Sequence, residues 1–176
     1  AHWDFSLKNK EDIMNIPFSP PDITEEEIEA VAEVMRSGWI TTGPKTKELE
    51  RKMAEFTHTN RGVCLNSATS CMEMALRLFE IGPGDEVIVP AYTYTASASV
   101  VCHVGATLRL VDVEKGTFHI DYAAVESMIN ENTKAIIPVD LGGVMVDYDR
   151  IRAIVESKKS LFRPSSKMQE ALGHIL

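Results

Sequence analysis

The sequence predicts an α/β fold: a three-layer sandwich in which a mostly parallel sheet is covered by helices on both faces. Three observations carry this. From Gly62 onward short apolar runs alternate with segments of helical periodicity. The clearest run, Glu86-Val87-Ile88-Val89-Pro90, is apolar on consecutive positions, as a strand buried on both faces is. Small polar residues, Gly and Pro punctuate the joins, so strand and helix succeed one another as in βαβ units.

In chain order, residues 1–15 are polar with scattered aromatics and read as an N-terminal extension or arm. Next comes Ile16-Pro17-Phe18-Ser19-Pro20-Pro21-Asp22, where three prolines hold the chain extended. Thr24 and Glu27 set up a capping box, and Ile28, Val31, Val34 and Met35 give the inward stripe of a helix that Gly38 ends. A second helix runs from about Lys45 to His58 with Leu49, Met53 and Phe56 inward. Between them, Trp39-Ile40-Thr41-Thr42-Gly43-Pro44 reads either as the wall of a pocket or as a Gly-Pro turn with an anchoring tryptophan.

The stretch from Gly62 to Leu76 is the centre around which the chain is organised. A short apolar strand, Val63-Cys64-Leu65, breaks into Asn66-Ser67-Ala68-Thr69-Ser70 and then a helix with Met72, Ala75, Leu76 and Phe79 on one stripe. The first N–H groups of a helix lack partners within it, so Ser67, Ala68 and Thr69 are placed to converge on a phosphate. The same pattern is also how an ordinary αβ unit begins, with the hydroxyl capping the helix and nothing bound. Neither G-x-G-x-x-G nor G-x-x-x-x-G-K-[ST] occurs, which argues against a dinucleotide or P-loop site.

Gly82-Pro83-Gly84-Asp85 is then a turn and Glu86 to Pro90 a buried strand. Thr93 to Val104 reads as a helix, Thr107 to Val113 as a strand and Asp121 to Asn130 as a helix. Lys134 to Leu141 reads as a strand, and Val146 to Lys158 as a helix with Tyr148, Ile151, Ile154 and Val155 inward. Ser157 to Ser166 is a basic loop before a short helical segment, and Gly173-His174-Ile175-Leu176 looks like a strand just begun. Ligands of such sheets sit beyond the carboxyl ends of the strands, where 67–69, 91–94 and 140–143 all fall.

Composition narrows the function. A hydrophobic fraction of 44% over 176 residues is that of a soluble globular protein with one ordinary domain. No run is long and apolar enough to span a membrane. The first eight residues lack the pattern of a secretory signal, so a cytoplasmic location is the default. With 18 basic and 26 acidic residues the net charge of −8 disfavours nucleic acid and anionic membranes as partners, while leaving room for a phosphorylated small molecule. Cys64, Cys71 and Cys102 form no C-x-x-C pair and read as buried thiols in a reducing compartment. The five histidines are scattered, and no metal site is expected.

Several runs, taken together, resemble the DegT/StrS family of nucleotide-sugar aminotransferases, which use pyridoxal 5'-phosphate (PLP) on the type I aminotransferase fold. They are Ile16-Pro17-Phe18, Ser37 to Lys45, Asn66 to Ser70, Gly82 to Pro90, Tyr92 to Ala96 and Thr133 to Val139, in the family's order. The resemblance implies that Ala68 and Thr69 hold the cofactor phosphate, that Ser67 shapes the turn, and that the Tyr94 ring lies against the pyridine. It implies that Thr41 and Thr42 line the sugar-nucleotide side. It further implies an amino-acid donor such as glutamate, a nucleotide-linked keto-sugar acceptor, a place in cell-surface polysaccharide or amino-sugar biosynthesis, and a homodimer.

The chain departs from the family pattern in two places. Asp140 stands where many members have His. Neither the family's Asp-Ala-Ala-His-like run nor its Schiff-base lysine is matched, and Lys134, Lys158, Lys159 and Lys167 sit in no such context. The expectation is therefore that residues 16–176 are the N-terminal portion of the large PLP-binding domain, inactive alone, with the lysine beyond Leu176. In the type I fold later strands lie between the first strand and those from Glu86 onward, so Val63–Leu65 is expected to lie unpaired and exposed. A sugar dehydratase of the same family, or a non-catalytic αβ module binding a phosphorylated metabolite, remain the alternative functions.

Overall fold

The computed structural model describes residues 20–176. The proposed arm at 1–15 and the Ile16-Pro17-Phe18 run lie outside the described residues. The chain forms two compact units, one ending at Cys64 and the other beginning at Leu65.

The first unit carries α1 (Glu25–Ser37) and α2 (Pro44–Phe56). The capping box at α1 forms as expected: the Thr24 hydroxyl accepts from the Glu26 N–H at 3.2 Å and the Glu27 carboxylate accepts from the Thr24 N–H at 2.7 Å. Gly38, at φ 74°, closes the helix in the left-handed conformation. The inward stripes are not realised. Neither helix has a buried residue, and Ile28, Val31, Met35, Leu49, Met53 and Phe56 are all exposed, Phe56 at 81%. Periodicity identifies an apolar face, but a two-helix unit has too little apolar surface to enclose it.

No strand forms at Val63–Leu65, and the stretch joins no sheet and exposes Val63 and Leu65, as the lack of the later strands predicts. These residues take no regular structure, Val63 is 75% exposed, and the Cys64 N–H is satisfied by the Glu50 carboxylate at 3.1 Å instead of by a ladder.

The second unit holds the sheet. Its elements are α3 (Ala68–Leu78), β1 (Glu86–Pro90), α4 (Thr95–His103), β2 (Thr107–Val111), α5 (Tyr122–Met128), β3 (Thr133–Ile136), α6 (Tyr148–Ser157) and α7 (Lys167–Leu172). The three strands are parallel in the order β2-β1-β3. Strand alternation splits the core in two. Val87, Val89 and Ala135 pack with Leu76, Ile81, Val100, Val101 and Val104 beneath α3 and α4. On the opposite face Ile88 and Ile136 pack with Val125, Ile151 and Ile154 beneath α5 and α6. Three layers result, as the sequence predicts.

The strand order is also consistent with chain handedness. From β1 the chain steps one way to β2, then back across β1 to β3; right-handed crossovers in both directions place α4 and α5 on opposite faces. The reversal creates a switch point between the carboxyl ends of β1 and β3.

Several bounds differ from expectation. β3 stops at Ile136 rather than reaching Leu141, since Pro138 has no N–H to donate. The C-terminal residue does lie along β3: the Leu176 N–H donates to Lys134 O at 2.9 Å and its carbonyl accepts from the Ile136 N–H at 3.0 Å. The cysteines are not buried. Cys71 and Cys102 are exposed and Cys64 is half-buried, because positions 71 and 102 lie off the core stripes of α3 and α4.

Candidate functional site

Ser67 is the N-cap of α3. Its hydroxyl accepts from the Ser70 N–H at 3.1 Å, and its carbonyl accepts from the Cys71 N–H at 3.1 Å. The serine therefore serves the helix itself, which explains why a small hydroxylated residue stands there. Left over are the N–H groups of Ala68 and Thr69 and the Thr69 hydroxyl, which have no hydrogen-bond partner among the described residues. No acidic residue lies in the first turn of α3, whereas α1 has three. Helix dipole and spare donors thus point the same way, toward an anion.

Both helices on this face end at the sheet's amino edge. Ile81 after α3 and Val104 after α4 join one core cluster there, beside the Asp85 carbonyl that accepts from the Thr107 N–H. On the last turns, Arg77 and His103 both reach Glu73, at 2.8 and 2.9 Å. Arg77 first and His103 second hold the Glu73 carboxyl below its usual range. With their ends fixed at that edge, α3 and α4 direct their first turns toward the carboxyl edge.

Tyr94 is the N-cap of α4, four residues beyond β1. Its ring makes no capping hydrogen bond and is 83% exposed, so it is not a core tyrosine. A second aromatic surface goes unread in the sequence: Tyr92 stacks on Phe118 from the loop after β2, centroids 5.1 Å apart at 22°. The alternation Tyr92-Thr93-Tyr94 is its only sequence trace.

Asp140, beyond β3, uses both carboxylate oxygens. Oδ1 accepts from the Val146 N–H and Oδ2 from the Tyr148 hydroxyl, each at 2.9 Å. Burial first, and this bond second, push the Tyr148 phenol above its usual range. Tyr148 reads in the sequence only as an inward residue of a helix.

Thr41 and Thr42 belong to the first unit. There Thr41 lines a cleft of about 480 Å³ with Glu33, Val34, Trp39, Lys45 and Thr46. Thr42 instead accepts the Trp39 indole N–H on its carbonyl at 3.1 Å. The Trp39 ring covers Gly43, where a Cβ would come within 2.2 Å of it. The anchoring-tryptophan reading of this loop and the pocket reading therefore both apply.

The donor set at α3 fits a phosphate ester: two adjacent N–H groups and a hydroxyl, with no competing carboxylate in that turn. The exposed ring of Tyr94 fits the face of a flat heterocycle.

The fold is that of a known family. The sequence profile of the DegT/DnrJ/EryC1/StrS aminotransferase family matches residues 21–162, and the chain belongs to that family. Among solved structures, a Streptococcus pneumoniae protein assigned as a sugar aminotransferase is 59% identical over 93% of this chain and 41% of its own, with a TM-score of 0.90; it is known in apo, PMP and PLP forms. DesV of S. venezuelae is 37% identical over 76% of this chain and 36% of its own, TM-score 0.72. The aminotransferase from Psychrobacter cryohalolentis is 34% identical over 80% and 36%, TM-score 0.75. The chain thus spans about two fifths of the length of these solved chains.

Proposed function

We propose that this chain supplies the phosphate grip and ring platform of a PLP-dependent aminotransferase that moves an amino group from an amino acid, glutamate foremost, onto a nucleotide-linked keto-sugar. The carrying observation is the set of three donors on Ala68 and Thr69 at the start of α3 that are unpaired among the described residues. The PLP and PMP forms of the S. pneumoniae relative support the choice of cofactor.

When bound, the cofactor supplies an electron sink for the amino-bearing carbon. The residues here bind and orient. Ala68 and Thr69 donate to the phosphate dianion; Ser67 keeps their N–H groups aligned by holding the first turn; Tyr94 covers the ring and excludes water from that face. The dipole contribution is about 0.3–1 kcal/mol, before charge-assisted bonds of about 1.5–3 kcal/mol each. Thr41 and Thr42 are assigned to the sugar-nucleotide side. The Schiff-base lysine is assigned to sequence beyond Leu176, residues 16–176 being the N-terminal part of the large domain. We place the enzyme in the cytoplasm as a homodimer serving polysaccharide or amino-sugar synthesis.

The test is a titration of the full-length protein with PLP, then incubation with glutamate and a nucleotide-linked keto-sugar. Bound cofactor absorbance and an aminated sugar detected by mass spectrometry support the reading. Absence of cofactor binding ends it; bound cofactor with loss of a hydroxyl from the sugar instead assigns the dehydratase chemistry.

A further inference from the structure

We infer that Asp140 is a positioning residue for the substrate side of this site, acting through the turn at Leu141–Gly143; the inference rests on the function proposed above. The residue stands at the switch point, four positions beyond the end of β3. Its two oxygens clamp the far end of the loop, one through the Val146 N–H and the other through the Tyr148 hydroxyl, while its own carbonyl accepts from the Gly143 N–H at 3.2 Å.

The root of the loop is rigid. The Asp147 N–H donates to the Tyr122 hydroxyl at 2.7 Å. Arg150 lies 4.3 Å over the Tyr122 ring and 3.3 Å from the Glu114 carboxylate. Tyr122, Val146 and Ile151 belong to the core beneath α5 and α6.

The tip is the opposite. Gly142 and Gly143 take φ 63° and 79°, a Cβ at either would meet nothing within 4 Å, and Val144 and Met145 are exposed. Packing therefore does not hold the tip; two backbone bonds do, from the Gly143 N–H to the Asp140 carbonyl and from the Val144 N–H to the Leu141 carbonyl, each at 3.2 Å, while the Asp140 carboxylate ties the start of the loop to its end. A loop with a fixed root and an open tip at the carboxyl edge of a parallel sheet is built to meet a ligand. Asp suits the anchor because both of its neighbours are donors and a carboxylate offers two acceptor oxygens.

The experiment compares Asp140→Ala, Asp140→Asn and Tyr148→Phe in the full-length enzyme by three readouts: PLP affinity, KM and kcat for the keto-sugar nucleotide, and amide hydrogen exchange over residues 141–146. Asn can accept from the Val146 N–H and donate to the Tyr148 oxygen, so it retains both links. The expected result for Asp140→Ala is a sugar KM raised about ten- to hundredfold with PLP affinity within about twofold of wild type, and faster exchange in 141–146. Asp140→Asn stays near wild type and Tyr148→Phe falls between. Wild-type KM and exchange in Asp140→Ala overturn the inference, as does PLP affinity falling in step with KM, which would mark a merely structural role. Wild-type protein that binds no PLP overturns the functional reading first, and this inference with it.

Discussion

Ser67 and Ser70 close on each other at the start of α3: the Ser67 hydroxyl accepts from the Ser70 N–H at 3.1 Å and lies 3.0 Å from the Ser70 hydroxyl. That pairing uses the Ser67 hydroxyl as both donor and acceptor at the cap and leaves the adjacent Thr69 hydroxyl without a partner among the described residues.

The division of labour separates two variants. Ser67→Ala removes the cap and is expected to cost about 1 kcal/mol of stability as well as weakening PLP binding. Thr69→Val is expected to leave stability within about 0.5 kcal/mol while lowering PLP affinity by about tenfold or more, the loss of one hydrogen bond to a charged group. Denaturant melts and PLP titrations on the same two proteins check it; equal effects on both measures in both variants would refute the division.

In the proposed site Tyr94 works through its ring face, since its hydroxyl makes no capping hydrogen bond. Tyr94→Phe is expected to keep PLP affinity, and Tyr94→Ala to weaken it about two- to tenfold, the range for aromatic contacts. Cofactor titration of the pair distinguishes this from a hydrogen-bonding role, in which Phe would fail like Ala.

Asp85 joins distant segments at the sheet's amino edge. Its buried carboxylate accepts from the Gly82 N–H, the Gln169 amide and the Ser165 hydroxyl, and Lys134 Nζ lies 4.0 Å away. Asp85→Ala strands these donors and is expected to cost about 3 kcal/mol or more. Lys134→Met is expected to cost less, because Asp85 keeps three donors. Urea unfolding of both variants measures the difference.

Lys134 also sets a pH dependence. It occupies the irregularity where β1 and β3 shift register, its side chain is 3% exposed, and burial pushes its ammonium below the ordinary 10.5, against the pull of Asp85. Between that lowered value and 10.5 the unfolded chain holds the proton more tightly than the folded one. Its contribution to stability therefore rises with pH across that window, and Lys134→Met is expected to flatten the rise. Unfolding free energies at a series of alkaline pH values decide it.

α1 behaves differently. Hydrogen bonds from the Thr24 side chain and backbone hold the Glu27 carboxyl below its usual range. The capping contribution is present above the ordinary carboxylate range and is lost as pH falls through the lowered value. Gly38→Ala, forced to φ 74°, is expected to destabilise by about 1 kcal/mol. Thermal melts near neutral and at acid pH test both statements.

Local features were the ones readable from sequence. The capping box at Thr24, the left-handed Gly38, the buried run at Val87–Val89 and the hydroxyl cap at Ser67 depend on residues within a few positions of one another. Features that depend on distant partners were not. Ile28, Val31 and Met35 show an apolar face without showing whether anything covers it. The Asp140–Tyr148 bond and the Tyr92–Phe118 stack join residues from separate loops and helices, and no periodicity encodes either.

The most direct test is a crystal structure of the full-length protein with PLP. The phosphate is expected within hydrogen-bond distance of the Ala68 and Thr69 N–H groups and the Thr69 hydroxyl, with the Tyr94 ring against the pyridine. A phosphate held elsewhere, with the start of α3 left to solvent or to another side chain, would contradict it.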